Sequence, residues 1–234
     1  MIEGAARRVA FFGGSFDPPH LGHLAVARAA RAALQLDAIL FAPVGAQPLK
    51  PQGSTASFDD RLRMTELAIS GEPGLEVSCI DAPDPAGHPN YTLDTLHRLR
   101  AFFPTDASLF CLMGADSFLS LGQWHGAAEV PFAATLVVAS RPGQSLADLE
   151  SSLPEGVSIA DSEPPDLPMG AGTELISYAL RNRAGKTAAF HLLPGLDVEI
   201  SASEIRRQIR SAAAERELLP PAVARYIHEH GLYQ

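Results

Sequence analysis

The sequence predicts an α/β fold: a doubly wound parallel sheet with helices on both faces and a C-terminal helical segment. Three observations carry this. Short apolar runs at 7–12, 38–43, 75–80, 108–113 and 133–139 read as buried strands, and amphipathic helical stretches separate most of them; such alternation makes a parallel sheet covered on both sides. Glycine-containing turns follow the first and fourth runs, at the sheet edge where open α/β folds bind ligands. The chain has 234 residues, 46% hydrophobic and 19% charged, which fits one large globular domain.

Taken in order, Arg7–Phe12 stops at Gly13-Gly14, as a buried strand does before a turn. Residues 21–35 form an alanine-rich helix with Arg28, Arg31 and Gln35 on one polar face. After the strand Ala38–Pro43 comes a loop rich in Gly, Pro, Gln and Ser. A helix follows over Phe58–Ser70, with Asp59, Arg63, Glu66 and Ser70 as its polar face. Leu75–Ile80 is the third strand. Leu93, Leu96, Leu99 and Phe103 mark the buried face of the next helix, ahead of strands Ser108–Met113 and Ala133–Ala139. Residues 144–186 read as an irregular acidic excursion rather than a second domain, Thr187–Leu193 as a last strand, and 203–214 and 221–230 as two terminal helices.

Composition excludes several classes. No apolar run reaches the ~18 residues of a membrane-spanning helix, and residues 1–8 have no signal-peptide core, so a cytoplasmic protein is expected. Two cysteines, Cys79 and Cys111, are too few for a disulfide scaffold and read as buried thiols. The net charge of −9 disfavours nucleic acid and anionic membranes as partners. An anionic small molecule would need local positive charge.

The informative segment is G-G-S-F-D-P-P-H-L-G-H, residues 13–23. Gly13 and Gly14 remove side chains where backbone can approach a ligand. His20 and His23, three apart at a helix start, share one face. A helix N-terminus attracts anions through its free N–H groups and dipole. The segment is neither a Walker A loop nor G-x-G-x-x-G. Its competing readings are a structural turn with two incidental histidines, and a zinc pair that lacks a third ligand. Further on, Ser201 and Glu204 form S-x-x-E, the pattern of a capping box.

The 13–23 string resembles the H-x-G-H signature of the nucleotidyltransferase superfamily related to class I aminoacyl-tRNA synthetases. Its surroundings are similar to bacterial nicotinate-nucleotide adenylyltransferases. Gln47-Pro48-Leu49-Lys50 resembles that family's P-P-H-K loop, Asn90-Tyr91-Thr92 its S-Y-T segment, and Gly114-Ala115-Asp116 with Trp124-His125 its G-x-D…W block. Arg141-Pro142-Gly143, Ile200–Arg206 and the C-terminal stretch 219–233 also match. Two departures stand out: Leu49 replaces a histidine, and Gln47 replaces a proline, which is expected to loosen the loop.

The resemblance implies a Rossmann-like fold, a single nucleotidyltransferase domain over 1–234, and the joining of AMP from ATP to nicotinate mononucleotide with release of pyrophosphate. It implies catalytic roles for His20, His23, Lys50 and Arg206. It implies ATP contacts from Gly13, Gly14, Ser15, Phe16, His20, His23, Gly114, Asp116, Ser201 and Arg206, with Asp116 on the ribose hydroxyls. The mononucleotide would meet Tyr91, Thr92, Trp124, His125 and Arg141, with Trp124 stacked on the pyridine ring. No protein metal site is implied; Mg²⁺ would be held mainly by substrate phosphates. A homo-oligomer is compatible with the resemblance. Alternatives are another H-x-G-H enzyme, such as a pantetheine-phosphate adenylyltransferase or a cytidylyltransferase, and a non-catalytic nucleotide-binding module.

Overall fold

A computed structural model describes residues 7–50, 52–140, 149–161, 163–164, 175–194, 200–211 and 218–234. Its frame is one eight-stranded sheet: β1 (Arg8–Gly14), β2 (Ala38–Pro43), β3 (Leu75–Val77), β4 (Ser108–Gly114), β5 (Thr135–Ala139), β6 (Val157–Ala160), β7 (Ile176–Asn182) and β8 (Thr187–Leu193). The spatial order is β3-β2-β1-β4-β5-β8-β7-β6. The six strands from β3 to β8 run parallel, while β7 and β6 are added antiparallel.

Every described residue of β2 is buried, and four of the seven in β1 are. Continuous burial rather than alternation is what a parallel sheet covered on both faces requires. The helices are α1 (Leu21–Leu34), α2 (Phe58–Ile69), α3 (Thr92–Phe102), α4 (Ala115–Leu119), α5 (Val130–Ala133), α6 (Ala202–Arg210) and α7 (Pro221–Glu229). One core joins α1, α2, α6 and α7 through Leu24, Ala27, Met64, Ile205 and Val223 to one sheet face. The other joins α3, α4 and α5 through Leu93, Leu96, Phe118 and Val130 to the opposite face. None of these helices is long and apolar enough to cross a membrane.

The expected elements stand within a few residues of their places, with four differences. The stretch 144–186 is not irregular throughout, because it carries β6 and β7. A tight turn joins β7 to β8: the Asn182 side chain accepts the Ala184 and Lys186 N–H groups, and Gly185 adopts φ 79°. Asn and Gly at such positions are ordinary turn chemistry, but the prolines and acids before β7 hid the strands. β3 ends at Val77, three residues early. β5 starts only at Thr135, because Ala133 closes α5. Of the two thiols read as buried, Cys111 is, but Cys79 is exposed beyond the end of β3.

The topology reverses between β1 and β4, which are neighbours although β2 and β3 intervene in sequence. From β1 the chain winds outward to β2 and β3; from β4 it winds the other way. A crevice opens at the C-terminal ends of such a pair, and that places the site.

Candidate active site

A cavity of about 1000 Å³ lies in this crevice. Its walls hold Gly13, Gly14, Ser15, Phe16, His20 and His23 from the β1–α1 connection, and Lys50 from the loop after β2. Tyr91 and Thr92 come from the start of α3, Gly114, Asp116, Trp124 and His125 from the segment after β4, and Ser201 and Arg206 from α6. Every site residue expected from the sequence therefore borders one space, apart from Arg141, which lies outside the described residues.

The β1–α1 connection is tightly built. A Cβ on Gly13 would stand 2.5 Å from the ring of Phe11, itself buried. Phe16 sits in the left-handed region at φ 47°, which costs a non-glycine residue about 1–2 kcal/mol. Its ring offsets this by burial against Phe12, Phe41 and His23 at centroid distances of 5.6, 5.4 and 4.9 Å.

His20 caps α1, and His23 Nδ1 accepts the His20 backbone N–H at 3.2 Å. The pair has the outline of a capping box. The reciprocal contact is too loose to count as a hydrogen bond: the His23 N–H goes to the His20 carbonyl at 3.0 Å, and His20 Nδ1 is buried without a partner among the described residues. The two rings stack with centroids 3.7 Å apart. Burial pushes the His20 pKa down to about 4 and that of His23 well below the ordinary value, the neighbouring His20 adding to the latter. Both imidazoles are thus neutral at pH 7 in this state. With Nδ1 engaged as an acceptor, neutral His23 carries its proton on Nε2.

The expected capping box at Ser201 does not form. Ser201 caps α6 through its position only, without a side-chain hydrogen bond. Glu204 turns instead to Arg207 and Gln208, two nearby donors that outcompete the reach back to the cap. The expectation that Gln47 loosens its loop is also overturned. Ser15 Oγ donates to Gln47 Oε1 at 3.0 Å and accepts from Lys50 Nζ at 3.2 Å, so Gln47 ties the lysine loop to the glycine loop. Leu49 is exposed beside it.

The cavity also carries an aromatic group. Trp124 is half-buried against the core, and its Nε1 donates to Ser120 Oγ at 3.2 Å. Tyr91 and His125 pair at 4.4 Å between centroids. Tyr91 caps α3 without offering a side-chain acceptor, so the first-turn N–H groups are not engaged by a capping side chain. The N-termini of α1, α3 and α6 all border the cavity. Helix dipoles thereby supply local positive potential in a chain whose net charge is −9.

Sequence reasoning missed three residues that shape this site. Asp17 is buried, and the Arg206 guanidinium donates to its backbone carbonyl at 2.6 Å. Arg61 of α2, 2% exposed, donates to the Ser15 carbonyl at 2.7 Å and the Ala56 carbonyl at 3.3 Å. Its signal was present: Arg61, Met64, Thr65 and Ala68 share the buried face, an arginine on a stripe that carries no other charge. Tyr233 reaches Asp17 from the C-terminus.

A family model for cytidylyltransferase-like proteins matches residues 11–208. The "probable nicotinate-nucleotide adenylyltransferase" of Gloeobacter violaceus is 37% identical over 227 residues, 97% of this chain and 96% of its own. The protein of the same name from Stenotrophomonas maltophilia is 40% identical over 235 residues, 96% of each chain. Among solved structures, Plasmodium falciparum nicotinic acid mononucleotide adenylyltransferase complexed with NaAD superposes with a TM-score of 0.67, covering 97% of both chains at 14% identity, a likeness of fold. With its motifs lining one crevice of that fold and relatives of this similarity along nearly its whole length, the chain belongs to the nicotinate-nucleotide adenylyltransferase family, within the cytidylyltransferase-like proteins.

Proposed function

We propose that the chain transfers the adenylyl group of ATP to nicotinate mononucleotide, giving deamido-NAD and pyrophosphate, and that residues 1–234 act as one nucleotidyltransferase domain in the cytoplasm. The observation that carries this is the shared cavity. Phosphate-directed His20, His23, Lys50 and Arg206 border the same space as the aromatic group Tyr91, Trp124 and His125.

An oxygen of the mononucleotide's 5′-phosphate attacks the α-phosphorus of ATP. The bond from that phosphorus to the bridging oxygen breaks, and pyrophosphate leaves. The nucleophile is already ionised at pH 7, so catalysis reduces to positioning and charge stabilisation. His23 offers its Nε2 proton to the phosphates as a fixed neutral donor. His20, whose Nδ1 has no partner among the described residues, is the imidazole that gains a proton most readily when phosphate charge arrives. Lys50 and Arg206 meet the departing pyrophosphate. Trp124 stacks on the pyridine, and the first N–H groups of α3 receive the nicotinate carboxylate. No group of three His, Cys, Asp or Glu suited to a metal occurs among the described residues. Mg²⁺ enters as part of the ATP substrate.

The test is pyrophosphate release from ATP with nicotinate mononucleotide, nicotinamide mononucleotide or phosphopantetheine. Preference for the first is the expected result. Preference for the amide would overturn the acceptor assignment, preference for phosphopantetheine the substrate class, and no release with any of them the catalytic reading itself.

A further inference from the structure

We infer that Tyr233, next to the last residue of the chain, is a positioning residue for the reaction: its phenol fixes the Asp17 carboxylate, and Asp17 in turn aims Arg206 into the cavity. The inference rests on the reading of Arg206 as a phosphate ligand.

A buried carboxylate must have its oxygens occupied. Asp17 is 4% exposed. Its Oδ2 accepts the Thr55 N–H at 2.7 Å, and its Oδ1 accepts the Ala56 N–H at 3.1 Å and the Tyr233 hydroxyl at 2.8 Å. Arg206 Nη1 stands 3.8 Å from Oδ2 while donating to the Asp17 carbonyl at 2.6 Å. Oδ1 thus holds two neutral donors, and Oδ2 is left to Thr55 and the guanidinium.

Tyr233 is built into this place. The residue is 6% exposed and its backbone lies in the left-handed region at φ 65°. A non-glycine residue stays there only when its surroundings over-determine it. Burial and the Asp17 charge both push the phenol's pKa up, so the hydroxyl remains a donor at any working pH.

The consequence for Arg206 follows from competition. Without the phenol, Oδ1 keeps one donor, and the under-satisfied carboxylate turns toward the strongest neighbour available. A charge-assisted contact to a guanidinium is stronger than a neutral one. Of the two guanidiniums that feel the Asp17 charge, Arg61 is buried and already held by the Ser15 and Ala56 carbonyls, whereas Arg206 Nη1 stands 3.8 Å from Oδ2. Arg206 would then close on Asp17 and withdraw from ATP. Loss of the hydroxyl should therefore weaken use of ATP and leave the mononucleotide side untouched.

The test is a double-mutant cycle on the full-length enzyme with Tyr233→Phe and Arg206→Ala, read as kcat/KM for ATP. Tyr233→Phe alone should lower it about tenfold, with the KM for nicotinate mononucleotide unchanged. In the Arg206→Ala background the same substitution should change it by less than about twofold, since its route is gone. Equal losses in both backgrounds would mean that the phenol acts without Arg206 and would overturn the inference. An Arg206→Ala enzyme with normal ATP kinetics would overturn the Arg206 assignment first and the inference with it. Leu232→Ala is the control for mere loosening of the C-terminus: its melting temperature should fall while the ratio of the two KM values holds, and a shift in that ratio matching Tyr233→Phe would count against the proposal. If Tyr233→Phe fails to fold, Asp17→Asn tests the same competition from the other side. A carboxamide no longer draws Arg206 away, so kcat/KM for ATP should stay within about twofold of the parent, and a loss of about tenfold would overturn the inference.

Discussion

His20 and His23 lie face to face, ring centroids 3.7 Å apart and planes 28° from parallel. Two imidazolium ions would repel strongly at that separation, so this state holds both rings neutral. Their folded pKa values are depressed, His20 to about 4, and buried His191 is also at about 4. A depressed histidine contributes stability that is complete above the unfolded value near 6.5 and is lost as pH falls through the folded value. Melting temperature should therefore be level above pH 7 and drop between pH 6.5 and 4. His20 and His191 would each account for on the order of 3 kcal/mol of that loss. His20→Ala should reduce this acid sensitivity while lowering kcat by ~10²–10³-fold, the scale for one preorganised charge-stabilising donor. A melting profile flat down to pH 5, or a near-normal rate in the variant, would contradict the respective half.

Gln47 and Lys50 share the Ser15 hydroxyl. Gln47→Ala removes the acceptor that orients that hydroxyl, and the lysine loses its fixed anchor. A neutral hydrogen bond is worth about 0.5–1.5 kcal/mol, or about 2–12-fold in affinity. The KM for ATP should rise by that factor, and Ser15→Ala combined with Gln47→Ala should add little. Steady-state kinetics on the two single variants and the double decide it; fully additive losses would show two unrelated contacts.

Gly114 is a different case from Gly13. A Cβ added at Gly114 meets nothing within 4 Å, and its backbone at φ −77°, ψ 161° suits any residue. Glycine there is not required by the fold. Gly114→Ala should hold or raise the melting temperature, since replacing an unstrained glycine gains about 0.4–1 kcal/mol. The KM for ATP should rise, because the new methyl enters space bordering the cavity. Unchanged ATP kinetics would place the nucleotide elsewhere in the crevice.

Much of the site was legible because local sequence dictates it. Gly13-Gly14, Pro18-Pro19 and the two histidines announce a strand, a turn and a helix start, and α1 lies over Leu21–Leu34, one residue short of the helix expected. Long apolar periods carried α3 and β4 in the same way. What local sequence could not convey is competition. S-x-x-E at Ser201 is a valid capping pattern until Arg207 and Gln208 draw Glu204 away. The residue that does cap through its partner's side chain is a histidine, outside the usual set of N-cap residues. Asp17, Arg61 and Tyr233 meet only in the fold; the bond from Tyr233 to Asp17 spans 216 positions. β6 was missed because four residues at the sheet edge give little apolar signal, and the seven of β7 because prolines and acids precede them and Arg181 and Asn182 break the apolar run.

Trp124 is the chain's only tryptophan, so its fluorescence reports on one position. It is half-buried, with its indole N–H held by Ser120 and its surroundings shared between the core and the cavity. If it stacks on the pyridine ring, nicotinate mononucleotide should quench the emission and ATP alone should not. Trp124→Ala should remove ~1–3 kcal/mol of mononucleotide binding, as for other aromatic stacks, which is on the order of 5–150-fold in its KM. The KM for ATP should scarcely move, because the histidine pair and α6 belong to other elements of the fold than the segment after β4 that carries Trp124. Trp124→Phe should recover much of the loss, since an aromatic face remains. A purely packing tryptophan behaves otherwise. Truncating it would cost up to about 3–5 kcal/mol of stability, both KM values would rise together, and the mononucleotide would leave the emission unchanged. Quenching together with a selective rise in one KM distinguishes the two roles, and an unchanged ratio of the two KM values would refute the stack.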